Sequence, residues 1–379
     1  MRLQTRLSAG CITFGLLLGC QHNAPPPVTA PHPPTGVQRD MATLAFLAYL
    51  GDALTGSDET VETQLDDCLQ RALEVQAGSH RWELAWGPAV YHFSLSKLDD
   101  NMMYVVQDTT NPSHFAIVVR GTNPSAFLDW LVEDFDVVDQ VAWITSTPAA
   151  RQPEGQPKIS KGTSEGLHVL QEMTSEGGPV QNQNLLQFLQ AQSPPSGLQI
   201  DVTGHSLGGA LAPALALWLA ENLDSRARIS VYPLAGPTPG NADFAAYYES
   251  VLGSSTHRLW NPFDIVPLAW NHETLGKMAD LYEPLTRANP VERGLIDSLR
   301  SLVKDEGYTQ IDSTRPSLSG AVSTDLGKKI DWKDEAGWQH HCGYQCALGI
   351  DVRTSDAGCP SKRPKFLCPP KECPAASGS

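Results

Sequence analysis

Ser206 stands between Gly204 and Gly208 in the stretch QIDVTGHSLGGALAPALALW (199–218), where a lone serine contributes nothing to a core. Its hydroxyl is a poor nucleophile unless a histidine takes the proton and a carboxylate holds that histidine in place. Candidates for both follow in the chain. Asp264 lies in RLWNPFDIVPLAW between Pro262 and Pro267, and EAGWQHHCGY offers His340 and His341. A serine, an acid and a histidine in that order are the parts of a site that attacks a carbonyl and transfers its acyl group.

Such parts must be held by regular elements. HFAIVVRGT (114–122) and GLQIDVTGH (197–205) are short β-branched apolar runs that end near Gly, as buried strands do; ISVYPLAG (229–236) and THRLWNP (256–262) read the same way. Helical patterns cover 184–192 and 207–222, and the body begins near Met41 with MATLAFLAYLGDAL. Strands alternating with helices predict an α/β fold, a mostly parallel central sheet flanked by helices on both faces. GHSLG then falls between a strand and a helix, the context of a nucleophile elbow, with glycines at 204 and 208 because no side chain fits there. In that turn the Leu207 N–H, at the start of the helix, is placed to stabilise an oxyanion.

The 379 residues are 41% hydrophobic, enough for a sizeable core. The formal charge of −15, which becomes −17 without the first nineteen residues, argues against a nucleic-acid partner. Those nineteen residues read as an export signal: Arg2 and Arg6, then an apolar run from Cys11 to Leu18 that is shorter than the ~20 residues a bilayer requires. LLGC (17–20) resembles a bacterial lipobox, which implies cleavage before Cys20, acylation of its thiol and anchoring to a membrane, the outer one where the cell has two. The proline-rich stretch 20–40 is expected to be a tether, extended at ~3.1 Å per residue. Residues 41–350 form the expected catalytic domain and 351–379 a Cys/Pro-rich extension. Six cysteines remain beyond the signal: Cys68, Cys342, Cys346, Cys359, Cys368 and Cys373. An even number in an exported chain favours disulfides, and the spacings lack the paired CxxC knuckles of a zinc site. No metal or organic cofactor is expected.

Four segments, in order, resemble the fungal-type (class 3) lipase family of α/β-hydrolases. VVRGT (118–122) resembles its oxyanion segment and places the oxyanion residue at Thr122. KISKGTSEGL (158–167) resembles its VHxGF strand, with Ser160 in place of the His and Thr163 in place of the Phe. GHSLGGALA followed by AGPTPGNADFA (235–245) resembles its elbow and the stretch beyond, and NPFDIVP (261–267) the segment that carries the catalytic acid, hence Asp264. The resemblance covers about 114–267, with a weaker match to Tyr344. It implies hydrolysis of lipid carboxylic esters, most directly triacylglycerols; a phospholipase, a feruloyl-type esterase or an acyltransferase would use the same machinery, and a surface lipoprotein that only binds lipid is the non-enzymatic alternative. The base is read as His340, from the aromatic Trp338 two residues before it, with His341 as the alternative from its H-x-x-Y spacing to Tyr344. His205 is read as structural, pointing away from the reacting centre, and Arg120 as an anchor for the oxyanion loop. The segment 123–138, in position and in Trp130, resembles the family's lid. Departures from the pattern are Pro213, inside the helix after the elbow, and an amphipathic helix expected at 291–303 between acid and base. Oligomeric state is not readable from the sequence.

The lipobox reading yields a direct test. Cys20→Ser should move the protein from the membrane pellet to the soluble fraction, since the acyl chains that hold it contribute ~0.8 kcal/mol per buried CH₂. Unchanged sedimentation of the variant would show that another anchor holds the protein.

Overall fold

Alternate residues of the run Phe115–Val119 are buried in different cores, so this strand has helices on both sides. The computed structural model describes residues 33–76, 81–91, 101–121, 137–144, 153–192, 197–320, 322, 331–352, 358–359 and 368. Within them the strands are β1 (Trp82–Tyr91), β2 (Asn101–Asp108), β3 (Asn111–Val119), β4 (Gln140–Ala142), β5 (Lys158–Ser160), β6 (Gln199–His205) and β7 (Arg228–Leu234). The helices are α1 (Gly36–Leu47), α2 (Asp58–Gln76), α3 (Lys161–Glu172), α4 (Leu185–Ala191), α5 (Leu207–Asn222), α6 (Ala242–Leu252), α7 (His272–Leu275), α8 (Pro290–Leu302) and α9 (Trp332–Leu348).

The main sheet runs β1-β2-β3-β6-β7. β3, β6 and β7 pair in parallel, as expected, but β1, β2 and β3 pair antiparallel, so the sheet is mixed rather than mostly parallel. The cause is local: the Asp108 carboxylate accepts from both the Thr110 N–H and its hydroxyl, which closes a tight turn between β2 and β3. Neither glycine nor asparagine stands at its centre, so the usual hairpin signal is missing.

A second difference concerns THRLWNP. It runs beside β7 without forming a full strand, making parallel bridges only at Val231↔Thr256 and Leu234↔Leu259. His257 N donates to Val231 O, Leu259 N to Pro233 O and Ala235 N to Leu259 O. Pro233 has no N–H to return to the His257 carbonyl, and the ladder breaks there. The segment still delivers Asn261 and Asp264 to the sheet's end.

On one face, Phe115, Ile117, Ile200 and Val202 pack with Leu211 and Leu215 of α5. That helix is apolar on all sides, as a helix in a core must be, and it continues through Pro213 from Leu207 to Asn222. On the other face, Ala116 and Val118 pack with Met41, Leu44 and Leu47 of α1 and Leu65 and Leu69 of α2. The expected helix at 291–303 is α8, capped by Asn289 with Glu292 in a capping box; it buries Ile296 and Leu299 in a third cluster with Trp270, Trp332 and Ala336. Ser160 and Thr163, the two departures in KISKGTSEGL, bond each other: the Ser160 hydroxyl donates to that of Thr163 and accepts from its N–H, capping α3. Among the described residues no helix is long and apolar enough to cross a membrane.

The C-terminal extension is stapled to the body, as the cysteine pattern suggests. Cys68 of α2 bonds Cys359, Cys342 of α9 bonds Cys368, and Cys346 is also disulfide-bonded. The Cys68–Cys359 bridge joins residues 291 apart in sequence and so restrains most of the unfolded chain. Replacing Cys68 and Cys359 together by Ala should cost about 2–5 kcal/mol, read as a lower urea midpoint under non-reducing conditions. An unchanged midpoint would mean that this bridge contributes nothing to stability.

Candidate active site

β6 ends at His205, and the chain reverses through Ser206 into α5. Ser206 has φ +64° and ψ −126°, a conformation that L-residues avoid. The reversal is possible because three backbones come together where side chains would intrude. A Cβ on Gly204 would meet the carbonyls of Gly208 and Val119, and one on Gly208 would meet the carbonyl of Val119. The Ser206 N–H donates to Leu234 O of β7 at 3.0 Å, and its carbonyl accepts from Gly209 N at 2.8 Å. The side chain stands at the N-terminus of α5, whose first-turn N–H groups give that end a partial positive charge. Leu207 is the first residue of this helix.

His340, on α9, reaches the serine: its Nε2 lies 2.9 Å from Ser206 Oγ. Its Nδ1 lies 2.8 Å from Asp264 Oδ2. Because a carboxylate only accepts, Nδ1 carries the proton and Nε2 is left to accept from the hydroxyl. Asp264 is fully buried, with Oδ1 accepting from Val266 N, and Oδ2 also accepts from the Tyr344 hydroxyl at 2.9 Å. Tyr344 lies one helical turn beyond His340 and so shares its face of α9. Burial, with Asp264 adding to it, pushes the Tyr344 hydroxyl well above the usual tyrosine range, which keeps it a donor. The same oxygen accepts from Asn261 N at 3.0 Å, tying helix to acid loop. The acid partner role of Tyr344 was not apparent from sequence; the spacing of four from His340 was the available signal.

The His341 ring is set edge-on to Tyr49 at 6.2 Å and lies 5.3 Å from that of His205 and 5.0 Å from that of His340. Arg120 is buried at the end of β3, its N–H donating to Met102 O. Gly121 follows it, packed so closely on the elbow that a Cβ there would meet Ser206 Cβ at 2.9 Å. Thr122, the predicted oxyanion residue, lies outside the described residues, as do Cys20 and 123–136 of the lid-like segment. That segment's end is described: Val137 is buried in the third cluster, and its carbonyl accepts from the Tyr308 hydroxyl. A buried hydroxyl, imidazole and carboxylate linked in series can shuttle a proton off the serine while keeping the resulting imidazolium paired.

Residues 116–273 match the family model described as Lipase (class 3). The crystal structure of M37 lipase superposes with a TM-score of 0.78 at 34% identity, over 86% of this chain and 96% of that one. Lipase from Rhizomucor miehei is 29% identical over 154 residues, 40% of this chain and 39% of the relative, so the match spans about two fifths of that curated relative's length. Lipase II from Rhizopus niveus gives a TM-score of 0.44 at 22% identity, over 64% of this chain and 78% of that one.

His205 is fully buried beside the site, among the rings of Phe46, Tyr49, His340, His341 and Tyr344. Its ring bonds the Tyr49 hydroxyl and the His340 carbonyl, each at 2.8 Å, rather than Ser206 or Asp264. Burial first, and His340 second, hold its pKa well below the ordinary 6.5. The native ring therefore refuses a proton that the unfolded chain accepts below that value, so acid favours unfolding and stability rises with pH across this window. Each pH unit there is worth at most about 1.4 kcal/mol. His205→Gln, which cannot titrate, should remove about 1 kcal/mol of this pH dependence between pH about 6.5 and about 5.5, where the unfolded imidazole goes from half to mostly protonated, read from urea midpoints of both proteins. Parallel pH profiles would show that His205 is not held neutral.

Proposed function

The chain belongs to the class 3 lipase family of α/β-hydrolases, and from that premise we propose that it hydrolyses carboxylic esters of lipids, most directly triacylglycerols, with Ser206, His340 and Asp264 as its triad. The observation that carries the reading is the buried series Ser206 Oγ, His340 Nε2 and Nδ1, Asp264 Oδ2, with links of 2.9 and 2.8 Å. Ser206 Oγ attacks the ester carbonyl as His340 Nε2 takes its proton, giving a tetrahedral oxyanion. The same proton passes to the leaving alkoxide, the C–O bond breaks, and an acyl group remains on Ser206. Water then gives a proton to His340 as its oxygen attacks the acyl carbon; the proton returns to Ser206 Oγ and the carboxylic acid leaves.

In this reading Asp264 pairs with the imidazolium formed in each half-reaction and fixes its tautomer. The oxyanion is assigned to the Leu207 N–H and to Thr122, at about 3 kcal/mol per donor. A phospholipase or a feruloyl-type esterase would use the same groups on a different leaving group. Acylated Cys20 is proposed to hold the enzyme at an outer membrane or cell surface, where lipid esters are presented.

Ser206→Ala should lower kcat on a soluble ester by about 10⁴-fold or more and abolish labelling by a fluorophosphonate, with folding intact. His340→Ala should match it, whereas His341→Ala should retain most of the turnover. Undiminished turnover in Ser206→Ala would refute the mechanism, and a dead His341→Ala beside an active His340→Ala would transfer the base to the neighbouring histidine.

A further inference from the structure

We propose that Tyr49 and His205 are positioning residues for this hydrolysis: the Tyr49 hydroxyl sets the tautomer of His205, and His205 in turn pins the backbone of His340 so that its Nε2 meets Ser206. This rests on the reading of His340 as the base. The donor and acceptor roles follow from the partners. The His340 carbonyl can only accept, so His205 Nε2, 2.8 Å away, bears the hydrogen. The neutral ring then leaves Nδ1 as an acceptor, and the Tyr49 hydroxyl at 2.8 Å donates to it. The carbonyl of His340 lies inside α9, where one lone pair belongs to the helix ladder, and His205 engages the second.

Tyr49 occupies a junction. Its oxygen is also 3.3 Å from the carbonyl of His205, and a Cβ on Gly121 would lie 2.6 Å from it. One hydroxyl thus abuts the loop that leads to Thr122, the strand end that precedes Ser206 and, through His205, the base. The residue comes from the turn after α1, 156 positions before His205. The ring of His205 lies 4.5 Å, centroid to centroid, from that of His340. Held neutral, it leaves His340 as the one imidazole that becomes positive during the reaction; charged, it would oppose that step by like-charge repulsion. Without Tyr49's oxygen the proton of His205 is free to sit on Nδ1, turning an unprotonated Nε2 toward the His340 carbonyl.

The test is steady-state hydrolysis of a soluble short-chain ester by the full chain, with Ser206→Ala as the blank. His205→Leu should lower kcat roughly ten- to hundred-fold, because the second lone pair of a buried carbonyl loses its donor. KM should stay within about twofold, because the substrate pocket is not altered. His205→Gln, whose amide N–H can reach the same carbonyl, should recover most of that loss. Tyr49→Phe, which removes one oxygen and keeps the ring, should lower kcat about fivefold with the same KM. Where His205→Leu lacks the native near-UV circular dichroism, Tyr49→Phe and His205→Gln decide. Wild-type kcat in Tyr49→Phe together with either folded His205 variant having no relation to its donor capacity would overturn the inference and leave the triad standing. A wild-type protein with no Ser206-dependent turnover would overturn the hydrolase reading and this inference with it.

Discussion

A serine held at φ +64° in the turn between β6 and α5 is the constraint around which the rest of the molecule is arranged. Such a conformation costs on the order of 1–3 kcal/mol and persists only where its surroundings over-determine it. Here they do so with backbone. Gly204, Gly208 and Gly209 let β3, β6, β7 and the first turn of α5 approach until a single methyl group on any of these glycines would collide with a neighbouring carbonyl. The approach requires α5 to lie directly on the sheet, and its apolar girth satisfies both the strands beneath and the helices beside it. The order of strands follows from the same need: β6 must be interior, with a parallel neighbour on each side to wall the turn.

The partners of the serine are brought in by two devices that do not depend on the elbow. The broken ladder beside β7 carries Asn261 and Asp264 to the end of the sheet, and α9 supplies His340 and Tyr344 from one face. Asn261 joins the two, since its N–H donates to the Tyr344 hydroxyl while its amide group donates to Gln339. The carboxylate therefore accepts from an imidazole and a phenol that move together with one helix. The result is an imidazole whose orientation is set by a carboxylate and by its own helix, rather than by a loop.

Much of this was legible in the sequence, for physical reasons that also explain what was not. β3, β6 and β7 carry β-branched runs with both faces buried, and α5 is apolar over four turns, so the elbow and its context could be read directly. β1 and β2 could not: NMMYVVQD lacks alternation and its turn into β3 is built from an aspartate and threonines. The fourth parallel strand fails because of Pro233, a residue in its neighbour. His340 and His341 could be ranked only by spacing; on α9, His340 and Tyr344 both reach the Asp264 carboxylate, while the His341 ring lies near those of Tyr49 and His205. Tyr49 and the disulfide partners belong to contacts across 156 and 291 residues, which local patterns do not encode.

The helix that carries His340 is also the one to which the C-terminal extension is bonded. Cys342 lies two residues beyond His340, and Cys346 one turn later on the same helix; both are in disulfides. The Cys342–Cys368 bridge ties α9 covalently to the chain that follows it. In the same way Cys68 fastens α2, a helix over the outer antiparallel strands, to Cys359 of the same extension. The bridges thus brace two helices that each lie more than a hundred residues from the elbow, one on either side of it in the chain. The strained serine is held by backbone packing and by the hydrogen bonds of its own N–H and carbonyl, whereas the helix that carries His340 is also held by covalent bonds.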